Sequence, residues 1–252
     1  MNTPVGGKGL APDEGVGNAE RYYKKDFWSK ENLKFSQTHY RLVKSARIIN
    51  NLARDRECNL LDVGCGPATL IQLLSPKINY HGIDIAIQDP APYLIEVDLI
   101  KNPIKFGDKQ FDIVVAQGIF EYMGDLQSQK FAEIAQLLNG TGIFIVSYWN
   151  FGHRNKEVYW AHSNIQSIDD FRQGLARHFN IDRFFPVSHN WHHSWPNRRI
   201  NRAVNMHINM NFPFISSILA VEYFFLCSPR DSGPVDPRGA KPVRRQGTVR
   251  RS

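Results

Sequence analysis

The chain has 252 residues, of which 42% are hydrophobic and 22% are charged. This is the composition of an ordinary soluble globular protein, and the length suits one α/β domain with its own core. Three scattered cysteines are too few for a disulfide framework or a zinc site, and they indicate a reducing compartment, for which we expect the cytoplasm. No segment is apolar enough to span a bilayer, so we expect no membrane partner.

The net charge of +7 comes mostly from the end of the chain. Residues 230–252 hold seven Lys/Arg and two Asp/Glu, so they carry +5 and leave +2 for residues 1–229. Because this segment is rich in Pro, Gly and Arg, we predict a disordered basic tail, with an arm for an acidic partner as the alternative. The nearly neutral body argues against a long groove for nucleic acid.

The patterns divide the chain into four segments. Residues 1–20 contain five glycines and are predicted to be disordered. Residues 21–55 are predicted to form an N-terminal helical cap, because apolar residues recur there at helical spacing. Residues 56–229 would form the main domain, followed by the tail. Within the main domain, residues 189–217 form an insert that is long for a structureless connection.

Seven apolar runs in the main domain are predicted to be strands, and helical patterns stand between several of them. Continuous apolar runs that alternate with helices indicate a mostly parallel sheet covered on both faces. We therefore predict a doubly wound α/β fold with a seven-stranded, mostly parallel sheet. The strands are CNLLDV, NYHGID, YLIEVD, FDIVVAQ, GIFIVSYW, RFFPVS and LAVEYFFLCS, and helices are predicted at ATLIQLL, from Phe131 to Leu138 and at SIDDFRQGLARHF.

The stretch LLDVGCGPATL places Gly64 and Gly66 where the first predicted strand passes into a helix. Glycine there permits a tight turn and lets backbone N–H groups approach a ligand. Asp84 ends the second predicted strand, 18 residues after Gly66, where an acid can accept hydrogen bonds from two ribose hydroxyls. This combination predicts a site for a nucleoside-containing cofactor, with a structural glycine turn as the alternative.

A dinucleotide fingerprint would have a glycine at position 69, which is Thr69 here. The pattern D-x-G-x-G-x-A from Asp62 to Ala68 instead resembles motif I of the class I S-adenosylmethionine-dependent methyltransferases. FDIVVAQGIFEYM, at residues 111–123, resembles the fourth-strand motif of the same superfamily. The resemblance implies the Rossmann-like fold of that superfamily, S-adenosyl-L-methionine as cofactor, and in-line SN2 transfer of its methyl group to oxygen or nitrogen of a small-molecule acceptor.

The resemblance also implies roles for individual residues. Asp62 and the loop from Gly64 to Gly66 would hold the methionine part, and Asp84 would hold the ribose. Asp98 would meet the adenine, with a turn-capping acid as the alternative. The full predicted cofactor set is Tyr23, Asp62, Gly64, Cys65, Gly66, Asp84, Ile85, Asp98, Leu99 and Gln117, and the predicted acceptor set is Glu121, Tyr122, Trp149, Asn150 and Trp191.

Histidines and aromatic residues are mixed in the insert at 189–217, which suits a pocket for a small organic acceptor, an acidic one included. We predict His189, His192 and His193 as catalytic residues, because neutral imidazole can take the acceptor's proton near pH 7. Alignment of acceptor and methyl group can also supply much of the rate without a base. These histidines lack a nearby carboxylate or cysteine, so no metal site is predicted.

Two short stretches, NFGHR at 150–154 and SNIQSIDDFR at 163–172, resemble the methionine-biosynthesis W proteins. Those proteins share the methyltransferase fold and are linked to homoserine acylation. The resemblance implies a rival function, a catalytically silent S-adenosylmethionine-binding protein that regulates an acyltransferase. We predict the enzyme, because the aromatic N-terminal segment and the insert are extra chain that a cofactor sensor would not need. A homodimer is compatible with the sequence.

Overall fold

The computed structural model describes residues 40–54, 56–150, 166–190, 205–206, 216 and 220–230. The predicted disordered segment at 1–20, residues 21–39 of the predicted cap, most of the insert and the tail beyond residue 230 lie outside the described residues.

Eight strands in the described residues form one sheet, in the order β3-β2-β1-β4-β5-β8-β6-β7. The first five strands run parallel, β8 is antiparallel to both β5 and β6, and β7 is antiparallel to β6. All seven predicted strands are present, which confirms the mostly parallel α/β sheet. The unpredicted eighth strand is β7, two residues long. The bounds are β1 Cys58–Val63, β2 Ile78–Asp84, β3 Leu94–Glu96, β4 Phe111–Ala116, β5 Leu138–Trp149, β6 Phe179–Asn190, β7 Asn205–Met206 and β8 Ala220–Pro229.

Three α-helices lie in the same residues, namely α1 Tyr40–Ala53, α2 Gln127–Leu137 and α3 Ile168–Ala176. Helix α3 lies within the predicted segment SIDDFRQGLARHF, whose first residue is the N-cap, because Ser167 Oγ accepts a hydrogen bond from the Asp170 N–H at 3.1 Å. Helix α1 belongs to the predicted N-terminal cap, whose earlier residues lie outside the described part. Short 3-10 helices occupy Thr69–Leu73, Phe120–Tyr122 and Gly124–Leu126.

The helix predicted at ATLIQLL is a 3-10 helix of five residues, Thr69–Leu73. It begins after Ala68, which has a left-handed φ of 53°, and it ends at Leu74, which is extended. Two residues further on, Pro76 disfavours the helical conformation of Ser75. The segment between the left-handed residue and the proline is therefore too short for a regular α-helix.

The sheet separates two hydrophobic cores. Helices α2 and α3 cover one face, and α1 with the 3-10 helix after β1 covers the other. Strand β4 supplies both cores in alternation, with Val114 and Ala116 on the first face and Ile113 and Val115 on the second. Burial of each large apolar side chain stabilises the fold by about 1.5–3 kcal/mol, so the strand ends are held on a rigid support.

The three cysteines, Cys58, Cys65 and Cys227, are buried free thiols. Burial raises the pKa of Cys58 to about 11, so this thiol stays protonated and unreactive at neutral pH. Among the helices of the described residues, none has the length and apolar character needed to cross a membrane.

Candidate active site

The carboxyl ends of β1, β2, β4 and β5 meet at one edge of the sheet. Val63 of β1 pairs with Ile83 of β2 and with Ala116 of β4. Because β8 is antiparallel, its first residues reach the same edge, where Glu222 pairs with Trp149. The predicted residues that gather at this edge are Asp62, Gly64, Cys65, Gly66, Asp84, Ile85, Gln117, Glu121, Tyr122, Trp149 and Asn150.

The loop after β1 depends on two glycines in left-handed conformations. Gly64 has φ 75° and Gly66 has φ 53°, values that L side chains rarely adopt. A Cβ on Gly64 would also lie 2.5 Å from Ile119 Cδ1, so the site has no room for a side chain. The N–H groups of Gly64 and Cys65 both donate to the Ile83 carbonyl oxygen, at 2.8 and 3.1 Å, which ties the loop to β2.

Asp84 joins the end of β2 to this loop. Its Oδ2 accepts from the Gly66 N–H at 2.8 Å, and its Oδ1 accepts from the Ala86 N–H at 3.2 Å. Burial raises the pKa of Asp84, and these backbone bonds oppose that rise. A Cβ on Gly66 would meet no atom of the described residues within 4 Å, so this part of the loop borders space that those residues leave open. A carboxylate and a glycine backbone beside that space fit the ribose and methionine parts of S-adenosylmethionine.

Cys65 and Ile85 stand beside these groups. The buried Cys65 side chain packs towards β2, where a Cβ on Gly82 would lie 2.9 Å from its Sγ. Its thiol therefore fills space behind the loop, while its N–H takes part in the loop bonds described above. Ile85 is partly buried in the turn that follows Asp84.

Asp62 lies buried in β1, one residue before Val63. The hydroxyl of Tyr80 donates to its Oδ2 at 2.8 Å. Burial raises the pKa of Asp62 to about 7, although the Tyr80 bond opposes this, and the charge of Asp84 adds to the rise. Asp62 is therefore a carboxyl group whose charge state changes near neutral pH.

Gln117 and Gly118 follow β4 and contact helix α1. Gln117 Nε2 donates to Ser45 Oγ, whereas Gln117 Oε1 is buried and has no hydrogen-bond partner among the described residues. Gly118 has φ 65°, its N–H donates to Ser147 Oγ at 3.0 Å, and a Cβ there would lie 2.8 Å from Arg41 Nη1. The absence of a side chain at Gly118 therefore admits the guanidinium of Arg41.

A group of charged side chains, here named the Arg41 cluster, consists of Arg41, Glu121 and Glu222. Arg41 Nη1 donates to Glu222 Oε1 at 3.0 Å. Glu121 is 3% exposed, and its Oε1 accepts from the Trp149 N–H at 2.9 Å. Its Oε2 is buried and lacks a hydrogen-bond partner within the described part of the chain. Burial and the nearby Glu222 raise the pKa of Glu121 to about 7, although Arg41 opposes the rise.

The other predicted acceptor residues line the end of β5. Asn150 holds β8, because its N–H donates to the Val221 carbonyl oxygen and its Nδ2 to that of Ala220, both at 2.9 Å. Tyr122 ends the 3-10 helix that contains Glu121. The His189 backbone pairs with Ala220, so strand β6 brings this predicted catalytic residue to the same edge. Trp191, His192, His193 and Tyr23 lie outside the described residues.

Asp98 takes part in the turn after β3. Its Oδ1 accepts from the Ile100 N–H at 3.0 Å, and its Oδ2 pairs with Lys101 Nζ at 3.0 Å. These are the contacts of the turn-capping acid that the sequence left open, while a contact with adenine stays a prediction. Leu99, also in the predicted cofactor set, is buried in the core beneath this turn.

Four residues at this edge were not found by sequence reasoning. They are Arg41, Ser45, Tyr80 and Glu222. Arg41 and Ser45 are four residues apart on α1 and therefore share a helix face. Glu222 carried a signal, because it is a lone acid inside the apolar run LAVEYFFLC, and such a charge needs a buried partner.

Comparison with known proteins identifies the family. The methyltransferase domain family matches residues 37–201. The chain belongs to this family. That membership confirms the prediction of a methyltransferase with S-adenosylmethionine as cofactor. The search of curated proteins found no match.

Solved structures share the methyltransferase fold. The 1,6-didemethyltoxoflavin-N1-methyltransferase of Burkholderia thailandensis is 16% identical with a TM-score of 0.55, over 90% of this chain and 94% of that chain. The N-methyltransferase NodS of Bradyrhizobium japonicum is 10% identical with a TM-score of 0.52, over 85% and 98%. A complex of a methyltransferase and its Trm112 activator from Haloferax volcanii gives 15% identity and a TM-score of 0.56, over 81% and 95%. The comparisons do not support the resemblance to methionine-biosynthesis proteins.

Proposed function

We propose that this methyltransferase acts on a small-molecule acceptor, which it holds at the edge formed by Glu121, Tyr122, Trp149 and Asn150. When bound, the cofactor supplies an electrophilic methyl group on a sulfonium centre. The chain's own groups bind and orient, since alignment of the acceptor with the methyl carbon accounts for much of the rate of such a transfer. The buried free thiols support a cytoplasmic setting for this activity.

The observation that carries the proposal is the junction of the glycine loop with Asp84. There the Gly66 N–H and both oxygens of Asp84 form one hydrogen-bonded unit beside open space. In the proposed complex the Asp84 carboxylate accepts from the ribose hydroxyls. The loop from Gly64 to Gly66 lies against the methionine part, and Gln117 stands at the end of β4 on the side of the methyl group.

Small-molecule acceptors are supported by two further points. Among the solved structures, the Burkholderia enzyme is named for a small molecule that it methylates, and NodS is named as an N-methyltransferase. The body of this chain outside its last residues is nearly neutral, which does not favour a polyanionic acceptor. The regulator of an acyltransferase is the less favoured function, because it would leave the polar groups after β4 without a ligand.

The cofactor arm of the proposal is tested by calorimetric titration. We expect S-adenosylmethionine and its demethylated product to bind with affinities of micromolar order, and NAD to show no binding. Asp84→Ala should weaken binding by about 2–3 kcal/mol, because the ligand hydroxyls lose a charged acceptor. Asp108→Ala, which removes an exposed carboxylate before β4, is the matched control and should bind as the unmodified chain does. Equal affinity in the two variants would contradict the ribose assignment.

The acceptor arm needs a turnover assay. The protein is incubated with S-adenosylmethionine and a metabolite extract, and mass spectrometry follows the demethylated cofactor and any metabolite that gains one CH₂ unit. We expect both signals together. Cofactor binding without turnover in any extract, combined with capture of an acyltransferase whose activity changes, would establish the regulator instead.

A further inference from the structure

The position of Glu121 links the two parts of the proposed site. Strand β4 lies between β1 and β5 in the sheet, so residues that follow β4 lie between the glycine loop and Trp149. Ile119, two residues before Glu121, contacts the place that a side chain on Gly64 would take. Glu121 itself is fixed to the end of β5 by the Trp149 N–H at 2.9 Å. Its carboxylate therefore stands at the boundary between cofactor loop and acceptor edge.

Two oxygens at this boundary are hydrogen-bond acceptors, but no donor among the described residues bonds to either of them. They are Glu121 Oε2 and Gln117 Oε1, and both are buried. A buried acceptor left without a donor costs about 1–3 kcal/mol, and more where the group is charged. The fold keeps two such oxygens on the same stretch after β4, which indicates that a ligand with more than one hydrogen to donate satisfies them.

The charges around Glu121 favour a cationic ligand. Arg41 pairs directly with Glu222, and its charge also acts on Asp62 and Glu121. Among the described residues, Arg41 acts on all three buried carboxyl groups and Lys44 acts on Glu222, so these five groups carry a net negative charge when the three carboxyl groups are ionised. An acidic acceptor, which the basic insert had suggested, would be repelled here. An amine or another N–H group would be attracted.

We propose that the acceptor is an amine-class molecule and that Glu121 binds the N–H group of the nitrogen that is methylated. This inference rests on the proposed function and names the acceptor class of the same site. A nitrogen with two hydrogens can donate to more than one acceptor on this stretch, whereas a hydroxyl offers only one hydrogen. Glu121 replaces the insert histidines as the group that takes the proton.

The proton and electron balance of the transfer is simple. An amine that binds as its ammonium ion first passes one proton to Glu121 Oε2, which leaves a lone pair on nitrogen. That lone pair forms the new N–C bond while the C–S bond breaks, and the electrons of the C–S bond stay on sulfur. The methylated amine leaves as a cation, and the Glu121 carboxyl group releases its proton to water. The pKa of Glu121, raised to about 7 by burial and by Glu222, suits a group that takes and releases a proton near neutral pH.

Sinefungin tests the position of Glu121 without knowledge of the acceptor. This cofactor analogue carries an amine on carbon where S-adenosylmethionine carries the methyl group on sulfur. S-Adenosylhomocysteine, which has neither group, is the reference ligand. We expect the unmodified chain to bind sinefungin about tenfold tighter than S-adenosylhomocysteine, the gain of one charge-assisted hydrogen bond. Glu121→Gln should abolish that preference and leave the affinity for S-adenosylhomocysteine unchanged.

The sinefungin titration has a matched control variant and three outcomes that would contradict the proposal. Glu57→Gln, an exposed carboxylate just before β1, should keep the preference. If Glu121→Gln weakens both ligands equally, or changes neither, the proposal is overturned. If the unmodified chain binds neither ligand, the proposed function fails, and this inference fails with it. If both ligands bind and the preference persists in Glu121→Gln, only the inference fails.

A measurement on the unmodified chain covers the case in which Glu121→Gln does not fold. The preference for sinefungin should fall about tenfold from pH 8 to pH 6, because protonated Glu121 no longer attracts the amine. Besides Arg41 and Glu222 themselves, the charged and titratable groups that act on Glu121, Arg41 or Glu222 are Lys44, Asp62, Tyr122 and Tyr148. Asp62, whose pKa is about 7, and Lys44, whose pKa burial lowers to about 8, also change charge in this range. The ratio is therefore measured in Asp62→Asn and in Lys44→Met as well, and the fall should persist in both. A ratio independent of pH would overturn the proposal.

The acceptor class has its own readout. In the extract assay, the metabolite that gains a methyl group is fragmented by mass spectrometry. A methyl group on nitrogen is expected, and a product methylated on oxygen or carbon would overturn the assignment.

Discussion

The acids at the ends of β1 and β2 differ from the acid that follows β4 in how their oxygens are paired. Both oxygens of Asp84 accept backbone N–H groups, and Asp62 accepts from Tyr80. Glu121 is as deeply buried, yet its Oε2 has no partner among the described residues. Asp84 and Asp62 each have partners within the protein, and the remaining lone pairs of Asp84 can still accept from the ribose hydroxyls. Glu121 Oε2, in contrast, has no partner in the described part of the chain until a ligand binds.

The site therefore contains two kinds of buried acid, those with hydrogen-bond partners in the protein and one with an oxygen that lacks a partner among the described residues. Asp84 holds the glycine loop through the Gly66 N–H before any ligand arrives, so the ligand meets a preformed surface. The unpaired acid is held at a cost to stability, which is the usual state of a group that must interact with a substrate. Substitutions in the two parts should therefore change stability with opposite signs.

Gly64→Ala should have the largest effect, because it disrupts the loop that Asp84 and the Ile83 carbonyl oxygen hold. A left-handed alanine costs about 1–2 kcal/mol, and overpacking against Ile119 adds about 1–3 kcal/mol. We expect a loss of about 2–5 kcal/mol in the free energy of unfolding, measured in urea, together with loss of cofactor binding. Adding Ile119→Val removes the Cδ1 atom, the nearest contact at 2.5 Å, and should restore part of the stability.

Gly140→Ala is the control for that substitution. Gly140 lies in β5, and a Cβ there would meet no atom within 4 Å. Its φ is not among the positive values in the chain. The variant should therefore lose little stability, and an equal loss in both variants would show that the loop conformation is not the cause.

Glu121→Gln should stabilise the ligand-free protein at high pH. The pKa of Glu121 rises from its ordinary value of 4.5 to about 7 in the folded chain, so folding favours the protonated form. Stability is therefore full at low pH and falls as the pH rises through that interval. Glutamine escapes this loss, which gives a gain of up to about 3 kcal/mol at pH 8 and no gain near pH 4. Thermal unfolding across this pH range measures it.

A second glutamate provides the opposite case. Glu133 Oε2 accepts from the Ile104 N–H at 3.0 Å and from Lys130 Nζ at 2.9 Å. These bonds lower its pKa in spite of burial, so its ionised form stabilises the fold. Glu133→Gln should therefore lose stability at pH 8. A gain in both glutamine variants would mean that loss of negative charge alone, and not the unpaired oxygen, stabilises Glu121→Gln.

Local patterns explain why the glycine loop could be predicted from the sequence. Gly64, Gly66 and Asp84 are read from the ends of two apolar runs, and parallel strands bring such ends together. The alternation of apolar runs likewise predicted seven strands of the sheet. The helix after the loop was wrong in type, because the left-handed Ala68 and the following Pro76 shorten it.

The Arg41 cluster could not be predicted in the same way. Arg41 and Glu222 are 181 residues apart, and their pairing depends on β8 running antiparallel beside β5. Gly118 shows why such a contact has no local signal, because its importance lies in the space it leaves for Arg41. Glu121 was selected as an acceptor residue from the fourth-strand motif, but its unpaired oxygen is visible only in three dimensions.

Tyr80→Phe should change the free energy of unfolding less than Gly64→Ala or Glu121→Gln. It should lower stability at pH 8, whereas Glu121→Gln raises it. It removes only the hydroxyl that donates to Asp62 Oδ2 at 2.8 Å, deep in the paired half of the site. Since this bond holds down the pKa of Asp62, its loss raises that pKa further above about 7. We expect the free energy of unfolding to fall by about 1.5 kcal/mol at pH 8, where Asp62 is ionised, and by less at pH 5.

Tyr93→Phe is the control and should leave stability unchanged. Tyr93 is an exposed tyrosine whose ring packs edge-on against that of Tyr80, with the ring centroids 6.1 Å apart. Urea unfolding at both pH values measures the difference, and a gain of stability in Tyr80→Phe would show that Asp62 is as poorly paired as Glu121.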